Sequence, residues 1–264
     1  MSDSPILSHK YYEKPSVFQP ENLLREARRQ KEITELVIPE ICILDPDGDI
    51  EEFVIERYQA KLNDAWACYH TKLFEFEYEG QKIGIIGRAV GASFAVLLAE
   101  QLFASGCKLL LSITSSGQLI QPMEPPYFIL IEKSVRDEGT SYHYLAPSQF
   151  SFLNSDLKEK LHNAINDPNI KIFNGSTWTT DAPYRETAEA IEYYKSIGIH
   201  AVEMEASALY AFAEARNRNV ICFAHVTNQM ASVEGDFEKG EHNGSKEALR
   251  VLFWTIDKFR LPSD

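Results

Sequence analysis

Ala201-Val202-Glu203-Met204-Glu205-Ala206-Ser207-Ala208-Leu209-Tyr210-Ala211-Phe212 sets two carboxylates and a thioether at the head of an otherwise apolar run. Ile197 to Val202, just upstream, is short, β-branched and punctuated by glycine, the pattern of a strand end. Glu205 to Arg216 repeats apolar residues at helical spacing. Glu203 and Glu205 therefore flank a strand-to-helix junction, the place where α/β proteins put their ligands. A carboxylate accepts hydrogen bonds from two adjacent hydroxyls at once, and a methionine packs on the apolar face of a sugar. The stretch thus points to a small hydroxylated ligand. The same residues also suit a plainer role, with both acids favourably charging a helix N-terminus and Met204 in the core.

Working outward, short β-rich runs alternate with helical ones. Strands are expected at Ile41 to Leu44, Lys72 to Tyr78, Lys82 to Gly87, Leu109 to Thr114, Tyr127 to Ile131, Lys171 to Asn174 and Val220 to Val226. Glu79-Gly80-Gln81 is a hairpin turn signal between the second and third of these. Helical periodicity covers a segment ending near Ala60, then Ser93 to Ser105, Leu157 to Ile165, Arg185 to Ser196 and Ser245 to Lys258. Such alternation implies a mixed, largely parallel sheet covered by helices. Before it lies an arm with Pro5, Pro15 and Pro20, then a basic helix from Leu23 to Lys31 that reads as a solvated face, a subunit contact or a lid. The chain divides into this arm and helix, 1–37, and one α/β domain, 38–264.

Composition excludes several classes. The net charge of -13 opposes binding to a nucleic-acid backbone, and the basic residues form no long stripe. No apolar run reaches transmembrane length and the first residues lack signal-peptide character, so no membrane partner is expected and the expected location is cytoplasmic. Cys42, Cys68, Cys107 and Cys222 are scattered without CxxC spacing, which speaks against zinc or a disulfide framework. Gly87 to Gly91 lacks the GxGxxG spacing of a dinucleotide site. No metal and no cofactor is expected.

Val202-Glu203-Met204-Glu205-Ala206 resembles the ribose-binding signature of the nucleoside phosphorylase-I family. In matching order, Gly87 to Ser93 resembles that family's Gly-rich turn, Ile113 to Gln118 its phosphate-binding strand end, and Ala224 to Asn228 its base-contacting strand end. The resemblance runs from about Ile38 to Arg260 and implies the family's three-layer αβα sandwich with a mixed central sheet. It implies cleavage of the N-glycosidic bond of a uridine- or 6-oxopurine-type nucleoside by phosphate as co-substrate, giving free base and ribose 1-phosphate. A homo-oligomer, dimer or hexamer, is implied as well.

Carried over residue by residue, the resemblance puts Glu205 on the ribose hydroxyls, with Met204 under the ring and Glu203 near the same pocket. Ser115, Ser116 and Gly117 follow a buried strand and offer hydroxyls and N–H groups to an oxyanion. Here the chain departs from the family. Ser112 and Gly48 stand where phosphorylases carry arginines, and Asp47 and Asp49 are electrostatically adverse to an anion. Arg88, where the family has glycine, is a substitute grip for phosphate or the partner of Asp45 or Asp47. The alternatives are therefore a phosphate-independent nucleoside hydrolase or a non-catalytic nucleoside-binding protein. Asn228 occupies the place of the acid used by adenosine-cleaving members; an amide cannot protonate a purine, which favours a base whose own carbonyl carries charge. Asp181, Tyr184 and Arg185 resemble the base-side loop, and Arg136, Tyr142 and His143 lie in a segment resembling one that lines the site. His225 reads as a core histidine. His9, in the arm, matches a histidine that reaches a neighbouring subunit's ribose in uridine-phosphorylase-like members.

Overall fold

The computed structural model describes residues 4–34, 37–161, 170–230 and 239–259. Its strands are β1 (Ile41–Asp45), β2 (Lys61–Leu62), β3 (Phe74–Tyr78), β4 (Gln81–Gly87), β5 (Leu109–Gln118), β6 (Tyr127–Asp137), β7 (Phe150–Phe152), β8 (Ile172–Thr180), β9 (Ala201–Glu203) and β10 (Asn219–Asn228). The helices are α1 (Pro20–Lys31), α2 (Asp49–Arg57), α3 (Ala92–Ala104), α4 (Ser155–Leu161), α5 (Ala188–Ser196), α6 (Ala206–Arg216) and α7 (Ser245–Asp257). The part of the expected Leu157 to Ile165 helix beyond Leu161 lies outside the described residues. The helix expected from Arg185 starts at Ala188, because Pro183–Arg185 forms a separate 3-10 turn and Thr187 caps α5 by accepting the Ala190 N–H.

All ten strands join one mixed sheet, ordered β10-β6-β8-β9-β5-β1-β4-β3-β2 with β7 beside β6. β1, β4, β5 and β10 run parallel; β6, β8 and β9 run the other way, and β5 pairs antiparallel with β9. A further β10–β5 pairing closes β10, β6, β8, β9 and β5 into a ring. The β3–β4 hairpin turns at Glu79-Gly80, both at positive φ, as a two-residue turn between right-twisted strands requires. Helices α3 and α6 pack together, as do α2 and α7. The main core holds buried Ile, Leu, Val and Phe from the central strands together with the inner faces of α3, α6 and α7.

β5, β6 and β8 extend well past the apolar runs that announce them. The added residues include Ser116, Gln118, Ser134, Thr177, Thr179 and Thr180, all buried. These polar stretches are strand because neighbouring strands, β10 and β9 for β5, β7 and β8 for β6, give their backbones partners on both sides, and hydroxyls find partners between strands, as in the Ser134–Thr179 contact at 2.7 Å. Hydrophobic periodicity carries no signal for a strand whose neighbours are polar. α1 is docked by Leu24 and Ala27, both fully buried, with Lys31 reaching the carbonyls of Ala67 and Cys68. Among the described residues, no helix is long and apolar enough to cross a membrane. The four cysteines are buried and unpaired.

Candidate active site

The C-terminal ends of β1, β4, β5 and β10 meet the end of β9 and the first turn of α6. Glu205 stands at the N-cap of α6 and is 1% exposed. Its carboxyl turns away from its own helix: Oε1 accepts the Gly91 N–H at 2.7 Å and Oε2 the Met204 N–H at 3.3 Å. Gly91, at φ 93, supplies that N–H from the turn that opens α3. Burial, then the charge of Glu203, pushes the Glu205 carboxyl up to about 8, with Thr114 and the two N–H groups pulling the other way.

Glu203, two residues away, is equally buried and differently used. Its Oε1 accepts from Ser134, Thr177 and Thr179, and its Oε2 takes the N–H groups of Glu205 and Ala206. Every strong acceptor position is filled by the protein, so Glu203 is a clasp joining β6, β8 and α6 rather than a ligand group. Burial raises its carboxyl, too.

The β1–α2 loop forms the opposite wall. Asp45 caps α2 by accepting the Ile50 and Glu51 N–H groups at 2.8 and 2.9 Å, and burial lifts its carboxyl to about 7. Asp47 reaches β5, where its Oδ2 accepts both the N–H of Ser115 at 2.9 Å and its hydroxyl at 2.5 Å. Lys239 lies 2.6 Å from Asp49 and 3.5 Å from Asp47. Glu51 accepts the Gly87 N–H at 2.7 Å and the Arg88 guanidinium at 3.0 Å, and Glu52 takes the other arm of Arg88. Arg88 adopts φ 62 and lies across Gly48, whose absent Cβ would sit 3.0 Å from Arg88 Cγ and 3.2 Å from its Cζ. The guanidinium thus fills the space that a side chain at position 48 would need. Its partners are Glu51 and Glu52, not Asp45 or Asp47 as one reading of the sequence expected.

Toward β10, Asn228 spends its amide locally, accepting the Met230 N–H at 2.9 Å and facing Thr227 at 3.3 Å. Gly117 lets Met230 and Val202 close over the strand end. Ser116 turns its hydroxyl to the Thr114 carbonyl at 3.3 Å. His225 stacks on Phe128 with centroids 4.4 Å apart, and burial drops it to about 4, so it is neutral near pH 7. It is the core histidine expected.

The remaining sequence candidates are placed elsewhere. Arg136 is buried in four bonds to Ser141, Leu145, Ala146 and Ser148, where it shapes a loop instead of facing a ligand. Asp181 pins that loop by accepting the Gly139 N–H at 2.8 Å. Tyr184, 99% exposed, and Arg185 stand on the outer rim. His143 meets Lys10 at 3.0 Å, and Tyr12 donates to the Tyr142 carbonyl, so the arm that carries exposed His9 lies on its own chain's loop. Gly91 and Thr114 lie in the Gly-rich turn and the strand end that the sequence marked, whereas Glu51 and Lys239 were not singled out from sequence. The one available signal was the alternation Asp45, Asp47, Asp49, Glu51, which marks a loop dense in acids without saying what each one grips.

The fold and site define a class: a mixed-sheet α/β protein with a buried carboxyl at Glu205 and a serine, Ser115, at converging strand ends. The chain belongs to the phosphorylase superfamily, whose family model matches residues 40–253. It is 24% identical over 222 residues to a DeoD-type purine nucleoside phosphorylase from Bacillus cereus, covering 81% of this chain and 92% of that one. A guanosine phosphorylase from Halorubrum lacusprofundi is 24% identical over 174 residues, 66% of this chain and 69% of the relative. Among solved structures, a uridine phosphorylase from Vibrio fischeri superposes with TM-score 0.71 at 22% identity, covering 84% and 93% of the two chains. A purine nucleoside phosphorylase from Toxoplasma gondii in complex with immucillin-H gives 0.70 at 18% identity over 83% and 90%.

Proposed function

We propose that this member of the superfamily cleaves the N-glycosidic bond of a nucleoside, with phosphate as acceptor and free base and ribose 1-phosphate as products. The observation that carries this is that Glu205 and Ser115 stand on paired elements, the β9–α6 junction and β5. Glu205 offers a buried carboxyl to ribose hydroxyls, and Thr114 links it to the strand that bears Ser115. Ser115 already holds a carboxylate oxygen with its N–H and hydroxyl, so its donors point at a single oxyanion position. As the C1′–N bond lengthens the ribose becomes cationic, and an ionised Glu205 gains Coulomb energy that the ground state lacks. Phosphate oxygen closes on C1′ while the electron pair leaves with the base. Positioning and electrostatics do the work, with no covalent intermediate.

Asn228 offers an amide in place of an acid, which favours a uridine- or 6-oxopurine-type base that holds the charge on its own carbonyl. The four reduced cysteines suit a cytoplasmic setting. Exposed Val17, Phe18 and Tyr184 suit burial between copies in a homo-oligomer, dimer or hexamer. The test is to incubate the protein with uridine, inosine, guanosine and adenosine, with phosphate, and to follow base and sugar by chromatography. Ribose 1-phosphate in equal amount to base is the expected result; no product from any nucleoside would refute the reading.

A further inference from the structure

Where the outer faces of α3 and α6 meet the arm and the start of α1, a groove of about 660 Å³ has Phe18, Leu97, Glu100, Tyr144, Arg216 and Arg218 in its lining. It stands apart from the site at Glu205. That residue is the N-cap of α6 and Arg216 ends the same helix, so 11 residues of helix put them about 16 Å apart. Glu100, the acid inside the groove, is already spent: it accepts the Tyr144 hydroxyl at 3.0 Å and the Arg216 Nε–H at 3.2 Å. Arg216 uses only Nε, and its two Nη groups hold no acceptor among the described residues. Arg218, just past the Asn217 cap, lies over the Phe103 ring at 5.4 Å and meets no carboxylate among the described residues. Lys10 adds a third cation, 3.0 Å from His143 on the same wall. The other acid of the lining is the exposed Glu21, at the start of α1. Apolar area faces these charges, with Phe18 73% and Leu97 39% exposed.

We propose that this groove is a second ligand site, taking an aromatic phosphate monoester of nucleotide size, with the phosphate between Arg216 and Arg218 and the ring against Phe18 and Leu97. Open guanidinium forks bind phosphate oxygens bidentately, and on a chain of net charge -13 such unspent cations are drawn to an anion of their own. One fork would satisfy a carboxylate. A phosphate monoester carries close to two charges near pH 7 and uses both forks. The volume falls in the range of about 300–1,000 Å³ that small-molecule sites occupy, and an apolar wall with a few placed polar groups is their usual make-up. Phe18 supplies a ring face on which a heterocycle or a phenyl group stacks. The ligand is held, and no bond in it is made or broken. None of these residues belongs to the Glu205 site, so binding here is independent of what that site cleaves. Phe18 is also offered above to a second copy of the chain; ligand and copy cannot both cover its face.

The experiment titrates the full chain with phenyl phosphate and with uridine 5′-monophosphate by isothermal titration calorimetry, beside inorganic phosphate alone, and repeats each titration on Arg218→Gln and Phe18→Ala. Circular dichroism establishes that each variant is folded, and size-exclusion chromatography gives its oligomeric state. Both monoesters are expected to bind, with affinity lowered about 10-fold or more by Arg218→Gln, the worth of a charged hydrogen bond. Phe18→Ala should weaken both monoesters and leave inorganic phosphate unchanged, because it removes only the ring face. No binding of either monoester would overturn the proposal. Monoester affinity undiminished in folded Arg218→Gln would overturn it as well, by placing the anion elsewhere, such as at Ser115. A Phe18→Ala chain that loses its oligomeric state yet keeps full monoester affinity would assign that face to a second copy and overturn the seat given to the ring.

Discussion

Glu205 is held in a conflict that makes its chemistry testable. Its carboxyl is raised from an ordinary value near 4.5 to about 8 by burial and by Glu203. Between those two values the folded protein keeps a proton that the unfolded chain has lost, so this group lowers stability as pH climbs through the window and adds no further loss above about 8. Glu205→Gln should therefore melt above the parent at pH 8, with the gap shrinking toward pH 5 in scanning calorimetry. Activity should move the other way. The ionised form is the one that stabilises a cationic ribose, so the parent's kcat/KM should rise with pH, reach half its plateau near 8 and level off above that, while the variant's profile loses that limb. The variant's kcat/KM should also fall by about 10- to 100-fold, the worth of a charged hydrogen bond to a hydroxyl. The positions of Glu205 and Ser115 at strand ends were legible because each follows a local pattern, an apolar strand with a polar residue after it. Glu203 was not separable from Glu205, because an alternating pair at a junction does not say which side chain meets solvent and which meets Ser134, Thr177 and Thr179.

At the level of elements, the β4–α3 turn is tuned to the β1–α2 loop through Glu51. A Cβ at Gly87 would stand 2.8 Å from Glu51 Cδ, although the φ of Gly87 makes no special demand. Gly87→Ala should push Glu51 off the Gly87 N–H and cost about 1–3 kcal/mol by overpacking, read as a lower urea midpoint at unchanged m-value. Arg88 should lose its anchor at the same time. Glu203 joins more elements than any other carboxyl of the site, since its two oxygens reach β6, β8 and the start of α6. Glu203→Ala leaves the Glu205 and Ala206 N–H groups without their acceptor and takes the shared acceptor from the Ser134–Thr177–Thr179 hydroxyl cluster, and a loss of about 3 kcal/mol or more is expected from such a buried node. That loss is measured by equilibrium unfolding; a merely ligand-facing acid would cost no stability on removal. Most strand positions were legible in the sequence, β2 and β7 excepted, and the lengths were not, because the ends of β5, β6 and β8 are polar residues, bonded between β6 and β8 to other polar residues on the neighbouring strand.

Across the whole molecule, the N-terminal segment divides into a loosely attached arm and a docked helix. The arm touches its own chain through exposed polar contacts such as Lys10–His143, whereas α1 buries Leu24 and Ala27 against the domain. Removing the arm up to Gln19 should shift the melting temperature by no more than about 2–4 °C, since exposed contacts of this kind are worth about 1 kcal/mol or less. Leu24→Ala should cost about 2–5 kcal/mol, and the two effects are separable by calorimetry on the two proteins. By itself the sequence determined the alternation of elements, the hairpin at Gly80, the strand-to-helix junction at Glu205 and, through the order of its motifs, the family. These features depend on neighbours within a few residues, where periodicity and turn chemistry act. Only the tertiary structure decided that Asp47 sits on Ser115, that Glu51 rather than Asp45 or Asp47 holds Arg88, and that the sheet closes through β5 and β10. Each of those contacts joins strand ends brought together by sheet order, and sheet order is set by non-local pairing that no local pattern encodes.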